Sequence, residues 1–144
     1  MRRLRIPALL ALLALLALPA GVGAAGVNGT YKGRATNMDR DFRYGKVTMR
    51  VRAGRVTKLE IESVTTTGCG GFMTVVFAPN DSETQIVSGS PRIRNGRLSV
   101  TYRPVRDVED QVTTIKARVS GGRVTGTFKS GDLCVNEGRF TARR

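Results

Sequence analysis

From Gly26 onward the chain alternates apolar and polar residues almost everywhere, and helical spacing is nearly absent. Alternation with a period of two puts successive side chains on opposite faces of an extended chain, so it predicts half-buried strands. Three hairpins can be checked by register. In the first, Val47, Met49 and Val51 alternate with Lys46, Thr48 and Arg50, while Thr57, Leu59 and Ile61 alternate with Lys58, Glu60 and Glu62. A three-residue loop, Ala53-Gly54-Arg55, pairs Met49 with Leu59 and Val47 with Ile61. It sets Lys46 opposite Glu62 and Thr48 opposite Glu60, whereas a two-residue loop sets Met49 against Lys58 and mixes the faces. The second hairpin turns at Asn95-Gly96, so Ile93 faces Leu98 and Pro91 faces Val100. Its apolar face is Val87, Gly89, Pro91 and Ile93 against Leu98, Val100 and Tyr102. Pro91 lacks an N–H, which predicts an edge strand or a bulge there. The third turns at Gly121-Gly122 and pairs Val119 with Val124, Ala117 with Gly126 and Ile115 with Phe128. Lys116, Arg118, Thr125 and Thr127 then point the other way.

Further strands are expected at Thr30–Thr36, with Tyr31, Gly33 and Ala35 on one face, and at Gly138–Ala142, with Phe140 inward. The segment Gly71–Ala78 is apolar at alternate positions of both sets, which reads as a strand covered on both faces. The expected fold class is therefore all-β: an antiparallel meander of 8–9 short strands forming a sandwich or a closed barrel. Sequence pattern alone leaves both architectures open.

The residues before Gly26 have a different character. Met1 is followed by Arg2, Arg3 and Arg5, and Ala8 to Leu18 contains only Ala and Leu. Eleven apolar residues suit the h-region of a secretory signal peptide and fall short of the roughly 20 that a membrane-spanning helix needs. Pro19 and Gly21 end the run, and the small residues Gly23, Ala24, Ala25 and Gly26 suit a peptidase cut after Ala24 or Ala25. Residues 1–25 are thus expected to be a signal peptide and 26–144 a single β domain, secreted and extracellular or associated with the cell envelope, and not membrane-spanning. Arg5 stands where a twin-arginine signal wants an apolar residue, and no Cys follows the apolar run as a lipoprotein requires. In an oxidising compartment the two cysteines, Cys69 and Cys134, are expected to form one structural disulfide. A link across that separation contributes on the order of 4 kcal/mol by constraining the unfolded chain.

Several of these features occur together elsewhere. The stretch Gly29-Thr30-Tyr31-Lys32-Gly33 has the form Gly-x-Tyr-x-Gly, a strand–turn–strand follows from Val47 to Leu59, Cys69 lies mid-chain, and Cys134, Gly138 and Phe140-Thr141-Ala142-Arg143 close the sequence. In this layout the chain resembles a group of small secreted all-β proteins of high-GC Gram-positive bacteria. The resemblance spans nearly the whole mature chain. It implies secretion and the β fold, and it implies no chemistry.

Composition removes much catalysis. With no His, no Ser-His-Asp or Cys-His nucleophile system and no His-based zinc or iron site can form. Spending both cysteines in a disulfide removes a thiol nucleophile, and no Gly-rich phosphate loop opens a helix. No cofactor and no metal are expected. Carboxylates remain: Asp39 with Asp41, Glu60 with Glu62, and Asp107, Glu109 and Asp110 in one loop. A glycosidase sets two such groups across a sugar cleft that usually carries aromatic stacking surfaces, and the chain has no Trp and three Tyr. Glu60 and Glu62 share the polar face of a strand beside Lys46 and Lys58, and solvated cross-strand ion pairing is the simpler account of them. The Asp107 cluster offers oxygen ligands for Ca²⁺ but matches no EF-hand spacing, and a plain acidic loop is the simpler account.

Charge is the most suggestive feature. There are 24 Lys and Arg against 11 Asp and Glu, for a formal net charge of +13, and Arg outnumbers Lys 19 to 5. Arg50, Arg52 and Arg55, then Arg92, Arg94 and Arg97, lie at or near hairpin ends, and Arg106, Arg118, Arg123 and Arg139 add to them. A solvated basic surface is the simplest account; recognition of a polyanion is the functional one. Nucleic acid is a poor partner for an exported protein without interleaved surface aromatics. The expectation is a monomeric, non-catalytic binding protein that contacts an anionic cell-envelope polymer, or lipid headgroups, through the arginine-rich hairpins. The alternative is a carrier for a small apolar ligand, with Tyr31, Met49, Met73, Phe77, Tyr102, Phe128 and Phe140 lining a barrel pocket, although these residues equally serve as core. A carboxylate hydrolase ranks third.

Overall fold

The computed structural model describes residues 24–37, 45–64, 72–78, 82, 84–105, 112–131 and 136–144. A short 3-10 turn, Ala24–Val27, leads into nine strands: β1 (Gly29–Asn37), β2 (Gly45–Arg52), β3 (Arg55–Val64), β4 (Phe72–Phe77), β5 (Thr84–Arg94), β6 (Arg97–Pro104), β7 (Thr113–Ser120), β8 (Arg123–Ser130) and β9 (Asn136–Arg143). All pairings are antiparallel, in the order β2-β1-β9-β8-β7-β6-β5-β3, and β3 returns to β2. Eight strands therefore close a barrel, which decides between the two expected architectures. The remaining strand, β4, pairs with β3 from Leu59 to Val64, beyond the point where Arg55 of β3 meets Arg92 of β5. No helix among the described residues is long and apolar enough to cross a membrane.

One buried cluster fills the interior. Tyr31, Met49, Leu59, Ile61, Phe77, Tyr102, Ile115, Phe128 and Phe140 belong to it, and the Phe77 and Tyr102 rings lie 4.8 Å apart between centroids. Outside the first half of β5 the inward positions are those the alternation marks, because a closed sheet gives every strand one face toward the core and one toward water. Two cross-strand pairs on β8 and β9 show how the packing is achieved. Gly126 faces Phe140 and Phe128 faces Gly138, so each ring lies over the glycine opposite. A Cβ on Gly126 would stand 2.5 Å from the Phe140 ring, and one on Gly138 would meet the Thr36 carbonyl and stand 2.7 Å from the Phe128 ring.

The third hairpin has the expected register throughout. The first differs at its turn. Arg52 pairs with Arg55, so the loop is the two residues Ala53-Gly54 rather than three. The register shifts between Arg50 and Val51, and this bulge restores the expected pairs Met49–Leu59 and Val47–Ile61. Both turn residues have positive φ, 48° at Ala53 and 70° at Gly54, the primed geometry that matches strand twist.

The second hairpin departs further. Arg94 and Arg97 flank Asn95-Gly96 as expected, but Gly89, not Pro91, faces Val100. The cause is Pro91. It has no N–H to give β6, and its neighbours turn to β3 instead: Arg92 pairs with Arg55, and the Ile93 N–H donates to the Gly54 carbonyl at 2.8 Å. A second irregularity, between Ile86 and Ser88, leaves Val87 53 % exposed rather than on the inner face.

The side chains of Cys69, Cys134, Asp39, Asp41, Met73, Arg106, Asp107, Glu109 and Asp110, and residues 1–23, lie outside the described residues.

Candidate polyanion-binding face

The up-and-down chain path sorts the connections onto two ends. At one end are the two-residue turns Ala53-Gly54, Asn95-Gly96 and Gly121-Gly122, with the start of β1 and the finish of β9. At the other, longer-loop end β1, β3, β6 and β8 finish and β2, β4, β5, β7 and β9 begin, while β4 finishes at Phe77, level with Leu59 midway along β3.

Hydrogen bonds tie the turn end into a ring. The carbonyls of Gly54, Gly96 and Gly122 each accept an N–H from the next hairpin round, from Ile93 at 2.8 Å, Val119 at 2.7 Å and Arg144 at 2.9 Å. The ring closes through Asn28, whose side-chain oxygen accepts the Gly54 N–H at 2.9 Å, while the Arg144 guanidinium donates to the Asn28 carbonyl at 3.0 Å and to that of Gly26 at 3.3 Å. Beneath it the Tyr31 hydroxyl donates to the Val27 carbonyl at 2.7 Å. Burial raises the Tyr31 pKa, partly offset by the positive charge of Arg144.

The arginines of the two hairpins stand on this rim. Arg50, Arg52, Arg55, Arg92, Arg94 and Arg97 are all exposed. Arg52 pairs with Arg55, Arg55 with Arg92, Arg94 with Arg97, and Arg97 with Arg118, so five of the six expected residues form one lateral belt from β2 to β7. Arg50 stands higher on β2, opposite Lys58. Neighbouring pairs are less than about 6 Å apart between Cα atoms. Like charges at that distance repel, so the belt is an arrangement that folding alone does not favour.

The carboxylates are elsewhere. Among the described residues, Glu60 and Glu62 are on the half of β3 away from its turn, and Glu137 is at the start of β9, on the longer-loop end. Glu60 bonds Lys58 of its own strand at 2.8 Å rather than a lysine across the sheet, and Lys129 stands 3.8 Å from Glu137. Glu60 and Glu62 thus lie on the outer wall of the barrel, with Glu60 engaged by a lysine.

A second basic feature continues from the belt. The outer face of β6–β9 holds a groove of about 570 Å³. Register places Ser99, Lys116, Thr127 and Arg139 in one row across the four strands, and Arg97, Arg118, Thr125 and Thr141 in the next. These eight outward side chains line the groove, and its other lining residues face inward in the register, so the sheet itself is the floor. The β7–β8 hairpin alone marks Lys116, Arg118, Thr125 and Thr127 as outward. Arg139 and Thr141 join them only through the β8–β9 pairing, which the alternation does not reveal.

No protein family, curated protein or solved structure matches the chain. The functional reading therefore rests on this geometry.

Proposed function

We propose that the protein is an exported, non-catalytic binding protein whose arginine-rich turn end contacts an anionic polymer of the cell envelope. The observation that carries this reading is the belt: two separate hairpins are bonded edge to edge at Ile93 and Gly54, and their exposed arginines occupy adjacent register positions. Guanidiniums of this kind offer a planar fork of donors that fits phosphate and carboxylate oxygens. The hydrogen-bonded ring beneath holds them on a fixed frame, which lowers the ordering cost of binding. Tyr31, Met49, Phe77, Tyr102, Phe128 and Phe140 occupy the interior as packed core, which favours the outer surface over an interior carrier site. Export follows from the composition of residues 1–25, which have the layout of a secretory signal peptide.

The test is retention of the secreted protein on immobilised anionic envelope polymer across a salt gradient. Binding through the belt is expected to weaken steeply as salt rises, because each phosphate or carboxylate contact releases counterions. Replacing Arg52, Arg55, Arg92 and Arg94 with Gln is expected to bring elution to lower salt. Retention that ignores both salt and these substitutions overturns the reading.

A further inference from the structure

We infer that the groove across β6–β9 is a binding track for a polyol-phosphate polymer, entered from the arginine belt at Arg97; this rests on the polyanion reading above. The lining chemistry selects the ligand. Arg97, Lys116, Arg118 and Arg139 supply four cations, and Ser99, Thr125, Thr127 and Thr141 supply hydroxyl donors between them. Cations interleaved with hydroxyls are the donor set that holds phosphate oxygens. No carboxylate lines the groove to oppose an anion.

The same lining disfavours the other polyanions. Every aromatic ring in the lining belongs to Phe140, which is buried in the core, so neither a nucleobase nor a sugar face finds a stacking platform. The exposed lining is otherwise mostly apolar, which suits the short carbon spacer of a polyol. Spacing agrees with a repeating charge. Lys116 and Arg118 are two residues apart on β7, about 7 Å along the strand, and Lys116 and Arg139 are two strands apart, about 10 Å across the sheet. A linear chain with a phosphate at each short repeat meets cations in succession along either direction. Arg97 belongs to both belt and groove, so one polymer can run from the turn end onto this face.

The experiment uses the secreted protein, a short glycerol-phosphate oligomer, an oligogalacturonate of matched charge, and isothermal titration calorimetry at low salt. Two triple variants remove equal charge: Lys116→Gln with Arg118→Gln and Arg139→Gln in the groove, and Arg50→Gln with Arg52→Gln and Arg55→Gln at the rim. Thermal unfolding confirms that each is folded. The groove variant is expected to lose about tenfold or more in affinity for the phosphate oligomer, and the rim variant less than about threefold. Equal losses in both overturn the groove as a site and leave general charge attraction. Equal wild-type affinity for the oligogalacturonate overturns the assignment to phosphate. A long envelope polymer that is retained through the rim while the oligomer fails to bind overturns the groove and leaves the proposed function standing. If the wild-type protein binds no polyanion at all, both readings fall.

Discussion

At the residue scale, the decisive positions are those where the alternation meets a glycine, a proline or a buried hydroxyl. The Phe128–Gly138 pair depends on the missing Cβ: a methyl on Gly138 would collide with the Thr36 carbonyl as well as the ring, and the main chain cannot move away cheaply. Gly138→Ala is therefore expected to cost about 1–3 kcal/mol in denaturant unfolding, as overpacked cores do. A cost of the same order is expected at Gly126→Ala, where a methyl would stand 2.7 Å from the Lys116 carbonyl as well as 2.5 Å from the Phe140 ring. Tyr102 gives a second residue-level prediction. Burial pushes its phenol pKa well above the ordinary value near 10, and the Thr113 hydroxyl beside it lowers it only in part. Above pH 10 the unfolded chain has lost this proton while the native barrel keeps it. The native state then binds more protons, so stability falls as pH rises. That contribution is fully present below pH 10 and lost progressively above it. Tyr102→Phe is expected to flatten the alkaline limb of a stability-versus-pH curve; an unchanged slope would show that Tyr102 titrates alike in both states.

At the element scale, the three hairpins show how far a sequence can be read. The Gly121-Gly122 hairpin obeys alternation without exception, because both turn residues take positive φ at no steric cost and nothing interrupts the ladder. The Ala53-Gly54 turn was not legible, since it puts an alanine at φ 48° and relies on a bulge to restore register. A non-glycine residue in that conformation is held by its surroundings, here by the Asn28 and Ile93 bonds to Gly54, which are long-range and leave no local trace. The β5 register was likewise hidden. Proline announced a bulge but not that Arg92 and Ile93 would leave β6 to close the barrel on β3. That closure is what joins the two arginine hairpins, so the hairpins were legible as basic segments and their belt was not. The belt predicts an electrostatic cost. Arg55 faces Arg52 on one side and Arg92 on the other. Arg55→Gln is expected to raise the melting temperature at low ionic strength while weakening polyanion retention. The stabilisation should fade by about 1 M salt, where screening acts within about 3 Å. A melting temperature that falls at low salt would mean that Arg55 packs rather than repels.

At the scale of the whole molecule, the meander turns a sequence-level charge pattern into an oriented one. Strand ends joined by two-residue turns share one end of the barrel, and eight of the thirteen arginines among the described residues lie within three positions of those turns. The carboxylates of the described residues stand toward the other end, with Lys46 and Lys129 in the same half of the wall. A molecule polarised in this way approaches a negative surface with its turn end first, because the field orients it before contact. The five lysines report that orientation without any substitution. Lys116 lies in the groove, whereas Lys129 is beside Glu137 at the longer-loop end and Lys46 is near the start of β2. Acetylation of the protein with and without saturating envelope polymer, read by peptide mass spectrometry, should show Lys116 strongly protected and Lys46 and Lys129 labelled at their free rates. Protection confined to Lys46 and Lys129 would reverse the orientation and place the contact at the longer-loop end. Uniform protection of all five lysines would mean that the polymer coats the barrel without preference, and the segregation of charge would then reflect solubility rather than recognition.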